Sequence, residues 1–374
     1  MFKRLQIAEA KDYLFKRKAL IVFGARQVGK TTFAEQLLEN VTEDILYLNG
    51  DNFDTRENLS KPNVSLLTNI IGDNKIVFFD EAQRIPNIGI LIKIIVDQIK
   101  GVQVIATGSS AFDLANQLNE PLTGRKYKIQ LHPFSYQELV NKLGFLEEQR
   151  NLEQRLIYGS YPEIVTDSKN AKKYLNLISN SYLYKDLFEL EQLKKTTTLQ
   201  KLVKALALQV GSEINANELS QLVGASNKTV EKYLLLLENA FVIFTLASFS
   251  KNVRNELKKS RKVYFYDNGI INAVTGNFNP LQNRNNVGAL WENYLISERR
   301  KWLAINEKQV ESYFWRTTQQ QEIDYVEVDT DSINAFEFKW NATSKARFPK
   351  TFTKAYTNIT TAVITPENYN DFLA

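Results

Sequence analysis

The sequence predicts an α/β protein whose first third is a mainly parallel sheet covered by helices on both faces, followed by a helical region and a second α/β region. Three observations carry that prediction. Short β-branched runs alternate with helical patterns through residues 19–131; the periodicity turns helical from Ser135 to Lys195; strands then return after residue 241, among further helices. At 374 residues the chain is long enough for two or three domains, each with its own core.

Five strands are expected first, at Ala19 to Phe23, Ile45 to Asn49, Ile76 to Asp80, Val102 to Thr107 and Tyr127 to Leu131, joined by four stretches able to form crossovers. Helices follow at Tyr136 to Leu143, Leu152 to Tyr158 and Ala171 to Glu191, around a turn at Gly159 to Pro162, and read as a helical lid on the first region. Three more helices, Leu199 to Val210, Ala216 to Leu222 and Asn227 to Asn239, precede strands Phe241 to Ser248 and Lys262 to Tyr266, the order of a winged helix. A polar stretch from Thr275 to Asn286 marks a boundary. Beyond it come a helix, Val287 to Leu303, and strands at Tyr313 to Arg316, Glu322 to Glu327 and Ala335 to Trp340.

Composition removes several chemistries. There is no cysteine, hence no disulfide, thiolate catalysis or cysteine-based zinc site, and the single histidine, His132, cannot build a histidine-rich metal site. Chemistry must run on carboxylates, lysine, arginine, hydroxyls, backbone amides and a hard metal such as magnesium. Lys93 interrupts the most apolar stretch, and charges run through Met1 to Lys18, so no membrane span or secretory signal is read and a cytoplasmic location is expected.

The segment Gly24-Ala25-Arg26-Gln27-Val28-Gly29-Lys30-Thr31 fits G-x-x-x-x-G-K-S/T and lies between a strand and a helix opening near Thr32. Glycines at these points let backbone amides turn inward around phosphates. Lys30 is expected to reach the β and γ phosphates and Thr31 to ligate magnesium, with Gly24, Gln27, Val28, Gly29 and Thr32 completing the ATP loop. The apolar strand Ile76 to Phe79 ends in Asp80 and Glu81. Asp80 is placed on the magnesium ion and Glu81 on the attacking water, the pair that marks a hydrolase. Ser109, after the strand Val102 to Thr107 and beside Ser110, is expected near the γ-phosphate for a sheet order 5-1-4-3-2. Arg125 is assigned to transition-state charge, in cis or across a subunit contact in a homo-oligomer; a structural surface arginine is the plain alternative. Arg26 and Arg84 are further phosphate candidates that spacing does not separate from solvated charge.

The net charge is +5, yet residues 194–262 alone carry twelve basic against five acidic residues, which leaves the rest at −2. Both a polyanion surface and a solvated basic face fit. In Asn227 to Asn239, Val230, Leu234, Leu237 and Phe241 recur at core spacing, and Asn227, Lys228, Glu231 and Lys232 face outward. Such a helix suits a DNA groove, with Lys251, Arg254, Lys258, Lys259, Arg261 and Lys262 of the wing on phosphates; a protein-binding role fits the same elements. Near the C-terminus the strand period puts Glu337 and Lys339 on one face, and Asp324, thirteen residues before Glu337, beside them. Asp324 and Glu337, with Glu292 from the preceding helix, form a magnesium site by this reading, and Lys339 stabilises a scissile phosphate. Alternating charge on a half-exposed strand is the competing explanation.

With these residues in view, the whole chain resembles a prokaryotic family of AAA-type P-loop ATPases whose C-terminal domain of unknown function is similar to PD-(D/E)XK, or restriction-endonuclease-like, folds. The resemblance rests on Gly24 to Thr32, Phe78 to Glu81, Thr107 to Ser110, Gly124-Arg125, Pro133-Phe134-Ser135, Gly159 to Glu163, Tyr264 to Gly269, Trp291-Glu292, Trp315-Arg316, Glu322 to Asp324 and Glu337 to Lys339. It implies a P-loop NTPase core at 1–134, a helical lid at 135–195, a winged helix at 196–275 and an α/β nuclease-like domain at 276–374. It also implies ATP and magnesium as cofactors and duplex DNA as a partner, with a regulatory switch holding a protein or nucleic-acid partner as the alternative to cleavage. Ile323 stands where the simplest nuclease pattern has proline before the aspartate.

Overall fold

The computed structural model describes residues 2–109, 122–182, 196–250, 260–344 and 346–374. The chain divides into two compact units. One holds Met1–Phe134 with Asn239–Phe241, and the other holds Ser135–Ser181, Lys194–Glu238 and Val242–Ala374.

In the first unit, β1 (Ala19–Gly24), β2 (Ile45–Asn49), β3 (Ile76–Asp80), β4 (Gln103–Gly108) and β5 (Lys126–Leu131) pair in parallel in the order β2-β3-β4-β1-β5, the expected 5-1-4-3-2 read from the other edge. Strands β3 and β4 are buried at every position, as a strand covered on both faces requires, whereas edge strand β2 leaves Ile45 and Tyr47 exposed. The helix Ile88–Gln98 buries Ile88, Leu91, Ile92 and Ile95, the stripe of an amphipathic helix, and keeps Lys93 in solvent. These side chains join Val77, Phe79, Val104 and Ala106 in one core. The carboxyl ends of β1, β3 and β4 therefore lie side by side over a single edge, where open α/β sheets bind ligands.

Residues 135–181 belong to the second unit. Their first helix, Tyr136–Leu143, opens with a capping box: Ser135 Oγ accepts from Glu138 N–H at 3.3 Å, and the Glu138 carboxylate accepts from Ser135 N–H at 2.9 Å. Tyr136 N–H donates to Glu298 at 2.7 Å, and the Asn268 and Asn272 amides donate to the carbonyl of Leu156. Of the anticipated helix Ala171 to Glu191, the described part is α-helical over Ala171–Leu177 and continues as a π-turn to Tyr182; the rest lies outside the described residues.

The second sheet has six strands in the order β11-β10-β9-β8-β6-β7, from β6 (Ile243–Ser248), β7 (Arg261–Phe265), β8 (Glu311–Arg316), β9 (Glu322–Val328), β10 (Ile333–Phe338) and β11 (Ile359–Ile364). Strands from both sides of residues 275/276 share this sheet. Strands β6 and β7, anticipated as a free wing hairpin, continue into the C-terminal strands because β6 pairs in parallel with β8 through Ala247 and Ser248. The β-branched run Ile359–Ile364 adds an edge strand that was not anticipated.

Asp267 caps the helix Asn268–Thr275 and is 4% exposed. Its carboxylate accepts from Ser160 N–H at 2.7 Å and Gly269 N–H at 2.8 Å, yet burial pushes its pKa up to about 6. A folded pKa above the unfolded value near 3.9 means that the native state binds the proton more tightly. Stability is then fullest below about pH 4 and falls as pH rises through 6, by roughly 3 kcal/mol for this group. Urea denaturation between pH 4 and 7 is expected to show that decline and to show it flattened in Asp267→Asn; an unchanged slope in the variant would assign the decline to other groups.

Candidate active site at the carboxyl edge of the parallel sheet

Gly24 closes β1 with φ +156, and a Cβ there would stand 2.1 Å from the carbonyl oxygen of Leu131, so the chain enters the P-loop only through glycine. Gln27 (φ 65) and Gly29 (φ 87) then turn the loop in the left-handed region, and Gly29 caps the helix Lys30–Leu38. Lys30, 6% exposed, donates to the carbonyl oxygens of Ala25 at 3.0 Å and Gly24 at 3.2 Å, folding its ammonium back over the loop.

Across the crevice, Asp80 collects donors from three elements. Thr31 Oγ1 lies 3.1 and 3.2 Å from its two oxygens, Tyr47 Oη donates to Oδ2 at 3.0 Å, and Thr107 Oγ1 donates to Oδ1. The ring of Tyr47 is exposed, but partial burial of its hydroxyl against Asp80, together with the Asp80 charge, pushes the phenol up to about 12. Glu81 follows at φ 48, an uncommon conformation for a non-glycine residue, and its Oε2 accepts from Gln83 Nε2 at 2.6 Å. The same Gln83 nitrogen reaches Ser109 Oγ at 3.1 Å. Lys30, Thr31, Asp80, Glu81 and Ser109 thus stand on the one edge where the sequence placed them. Tyr47, Thr107 and Gln83 were not anticipated; Gln83 had only its position two residues after Glu81 as a signal.

Arg125 is elsewhere. Its carbonyl accepts from Ala19 N–H, at the start of β1, and its guanidinium pairs with Asp97 at 2.7 Å on the surface. Five residues of strand, about 17 Å, separate that end of β1 from the P-loop, so the in-cis role is not built. Arg84 likewise pairs with Asp51 at 2.9 Å.

In the second unit, Asp324 Oδ2 accepts from Phe338 N–H at 2.8 Å, and Lys339 Nζ lies 2.8 Å from Glu337 and 3.6 Å from Asp324. Glu292 is held differently. Tyr264 Oη donates to its Oε1 at 2.6 Å and Lys262 Nζ stands 3.3 Å away. Burial pushes the Glu292 carboxyl up to about 7, against the pull of Lys262. Among the described residues no three His, Cys, Asp or Glu side chains are grouped closely enough to hold a metal ion. Lys262 departs from its expected place: expected on DNA phosphates, it is 2% exposed and paired with Glu292 and Glu322. Arg261 pairs with Glu231. Lys251, Arg254, Lys258, Lys259 and Ser110 lie outside the described residues. Asn227, Lys228, Glu231 and Lys232 are exposed over a face that buries Val230, Leu234 and Leu237.

Residues 16–140 match the family model of an AAA domain, residues 149–281 that of Domain of unknown function (DUF8612), and residues 287–373 that of Domain of unknown function (DUF4143). The matched segment 16–140 holds the P-loop and the parallel sheet of the first unit. Uncharacterized proteins of Mycobacterium bovis and Mycobacterium tuberculosis are each 24% identical over 347 residues, 91% of this chain and 74% of theirs. One from Haemophilus influenzae is 25% identical over 304 residues, 72% of each chain. Among solved structures, the Thermotoga maritima RuvB Holliday junction branch migration motor aligns with 69% of this chain and 95% of its own, at 14% identity and a TM-score of 0.34. No helix among the described residues is long and apolar enough to cross a membrane.

Proposed function

We propose that the chain hydrolyses ATP in a magnesium-dependent reaction at the P-loop and couples turnover to a duplex-DNA or protein partner of the second unit. The observation that carries this reading is the Thr31 hydroxyl set on the Asp80 carboxylate at 3.1 and 3.2 Å, at the opening of the loop. A hydroxyl and a carboxylate are oxygen donors of the kind magnesium prefers, so this pair fits the ion. Magnesium held by Thr31 and Asp80 would offset the charge of the phosphates. Lys30 swings from the carbonyls of Gly24 and Ala25 to the β and γ phosphates. Gln83 holds Glu81 Oε2, and we assign Oε1 to the attacking water as proton acceptor. Ser109, on the other side of Gln83, donates near the γ-phosphate. Arg125, at the opposite edge, serves only a neighbouring copy, if the protein self-associates.

For the second unit, the exposed Lys228 and Lys232 support contact with DNA phosphates through the helix Asn227–Asn239. A restriction-endonuclease-like cleavage site using Asp324, Glu337 and Lys339 is one reading of the C-terminal strands. The switch reading, in which nucleotide state controls a binding module that cuts nothing, is favoured by one observation: the carboxylates are already paired with Lys262 and Lys339. Magnesium-dependent ATP hydrolysis is to be measured with and without duplex DNA, and the DNA run on a gel beside Asp324→Asn. Hydrolysis with intact DNA supports the switch. Cleavage lost in Asp324→Asn supports the nuclease, and absence of magnesium-dependent hydrolysis refutes the ATPase assignment.

A further inference from the structure

Lys262 is almost wholly buried, and its surroundings account for both ends of the residue. Its ammonium lies 2.5 Å from Glu322 Oε1 and 3.3 Å from Glu292 Oε1, and 5.3 Å from the centre of the Phe314 ring. Its backbone is held on two sides. β6 pairs with it at Leu246, and on the other edge Glu213 forms a β-bridge with Lys262, flanked by Gly211 N–H to Val263 O at 2.9 Å and Ile214 N–H to Arg261 O at 2.7 Å. A Cβ on Gly211 would come within 3.4 Å of Glu292 Oε1, so the bridging segment also packs over that carboxylate. The ammonium is therefore not a surface side chain that happens to reach inward; it is anchored where two acidic side chains meet.

A magnesium ion demands near-ideal octahedral oxygen geometry at about 2.0–2.1 Å. Here one Glu292 oxygen is taken by Tyr264 and Lys262, one Glu322 oxygen by Lys262, and the Asp324–Glu337 pair is bridged by Lys339. A second cation entering beside a buried ammonium meets like charge at low local dielectric. We propose that Lys262 is the resident cation of the C-terminal carboxylate cluster, standing between Glu292 and Glu322 in place of a divalent ion, so that the wild-type cluster binds no divalent metal. The assignment is independent of the nucleotide reading, because its test contains no nucleotide.

Manganese alone is to be titrated into the nucleotide-free full chain, with free Mn2+ followed by electron paramagnetic resonance. Wild type and Asp324→Asn are expected to bind the ion identically. Lys262→Met is expected to gain one site at least tenfold tighter than any in wild type, and to lose it again in Lys262→Met/Asp324→Asn; Lys262→Arg, which keeps the charge, gains none. A wild-type site that weakens tenfold in Asp324→Asn overturns the proposal, as does a folded Lys262→Met that gains no site. Should Lys262→Met not fold, the comparison of wild type with Asp324→Asn decides alone.

Discussion

Glu81→Gln is expected to slow ATP turnover by about 10²- to 10³-fold while leaving nucleotide affinity within a few-fold of wild type, the range for removing a general base. The substitution keeps the shape of the side chain and its bond from Gln83, so what it removes is the ability of Oε1 to accept a proton. Lys30→Ala is expected to act earlier. Its ammonium rests on the carbonyls of Ala25 and Gly24 at 3.0 and 3.2 Å, and its loss is expected to weaken ATP binding itself. Steady-state kcat and titration of a fluorescent ATP analogue separate the two effects. Turnover by Glu81→Gln within twofold of wild type would remove Glu81 from the reaction and leave the water to another residue.

Gly159→Ala is expected to destabilise the second unit by at least about 4 kcal/mol, the range of severe single substitutions. A Cβ at Gly159 would lie 1.9 Å from Asp267 Oδ1, and Asp267 cannot retreat without releasing the N–H groups of Ser160 and Gly269 in a buried site. Gly276→Ala is the control. Gly276 shares the positive φ, +70 against +72, but its ψ is 16 where that of Gly159 is −159, and a Cβ there meets nothing within 4 Å, so only the left-handed conformation is penalised, by about 1–2 kcal/mol. All four tryptophans, Trp291, Trp302, Trp315 and Trp340, belong to this unit, so urea unfolding followed by tryptophan fluorescence reports on it directly. Equal losses in the two variants would mean that neither the Asp267 contact nor the ψ of Gly159 adds to the cost of its positive φ.

The candidate nucleotide site was legible in the sequence because its parts are short contiguous runs. Gly24 to Thr31 bends within eight residues, and Asp80 and Glu81 end a strand whose five apolar-to-acidic positions read without knowledge of any neighbour. Strand and helix spacing also placed β3 and the helices Tyr136–Leu143 and Asn227–Asn239 with the bounds observed, since amphipathic period is a local property. Gln83 was overlooked because its role depends on Ser109, twenty-six residues away just past the end of β4.

By itself, then, the sequence determined the parallel α/β class, the P-loop, and which carboxylates and hydroxyls could meet at its edge. Tertiary structure alone decided that Arg125 stands at the far edge of its own sheet and that residues 135–181 pack with the second unit. It also decided that β6 and β7 continue into the C-terminal sheet and that Lys262 turns inward to Glu292 and Glu322. Each of these rests on partners far apart along the chain: β6 on β8, Asp267 on Ser160, Lys262 on Glu213 and Glu322. Local spacing specifies which face a residue occupies, but which partner covers that face is set by long-range strand pairing and burial, and charge alone did not distinguish an exposed lysine from a buried counter-ion.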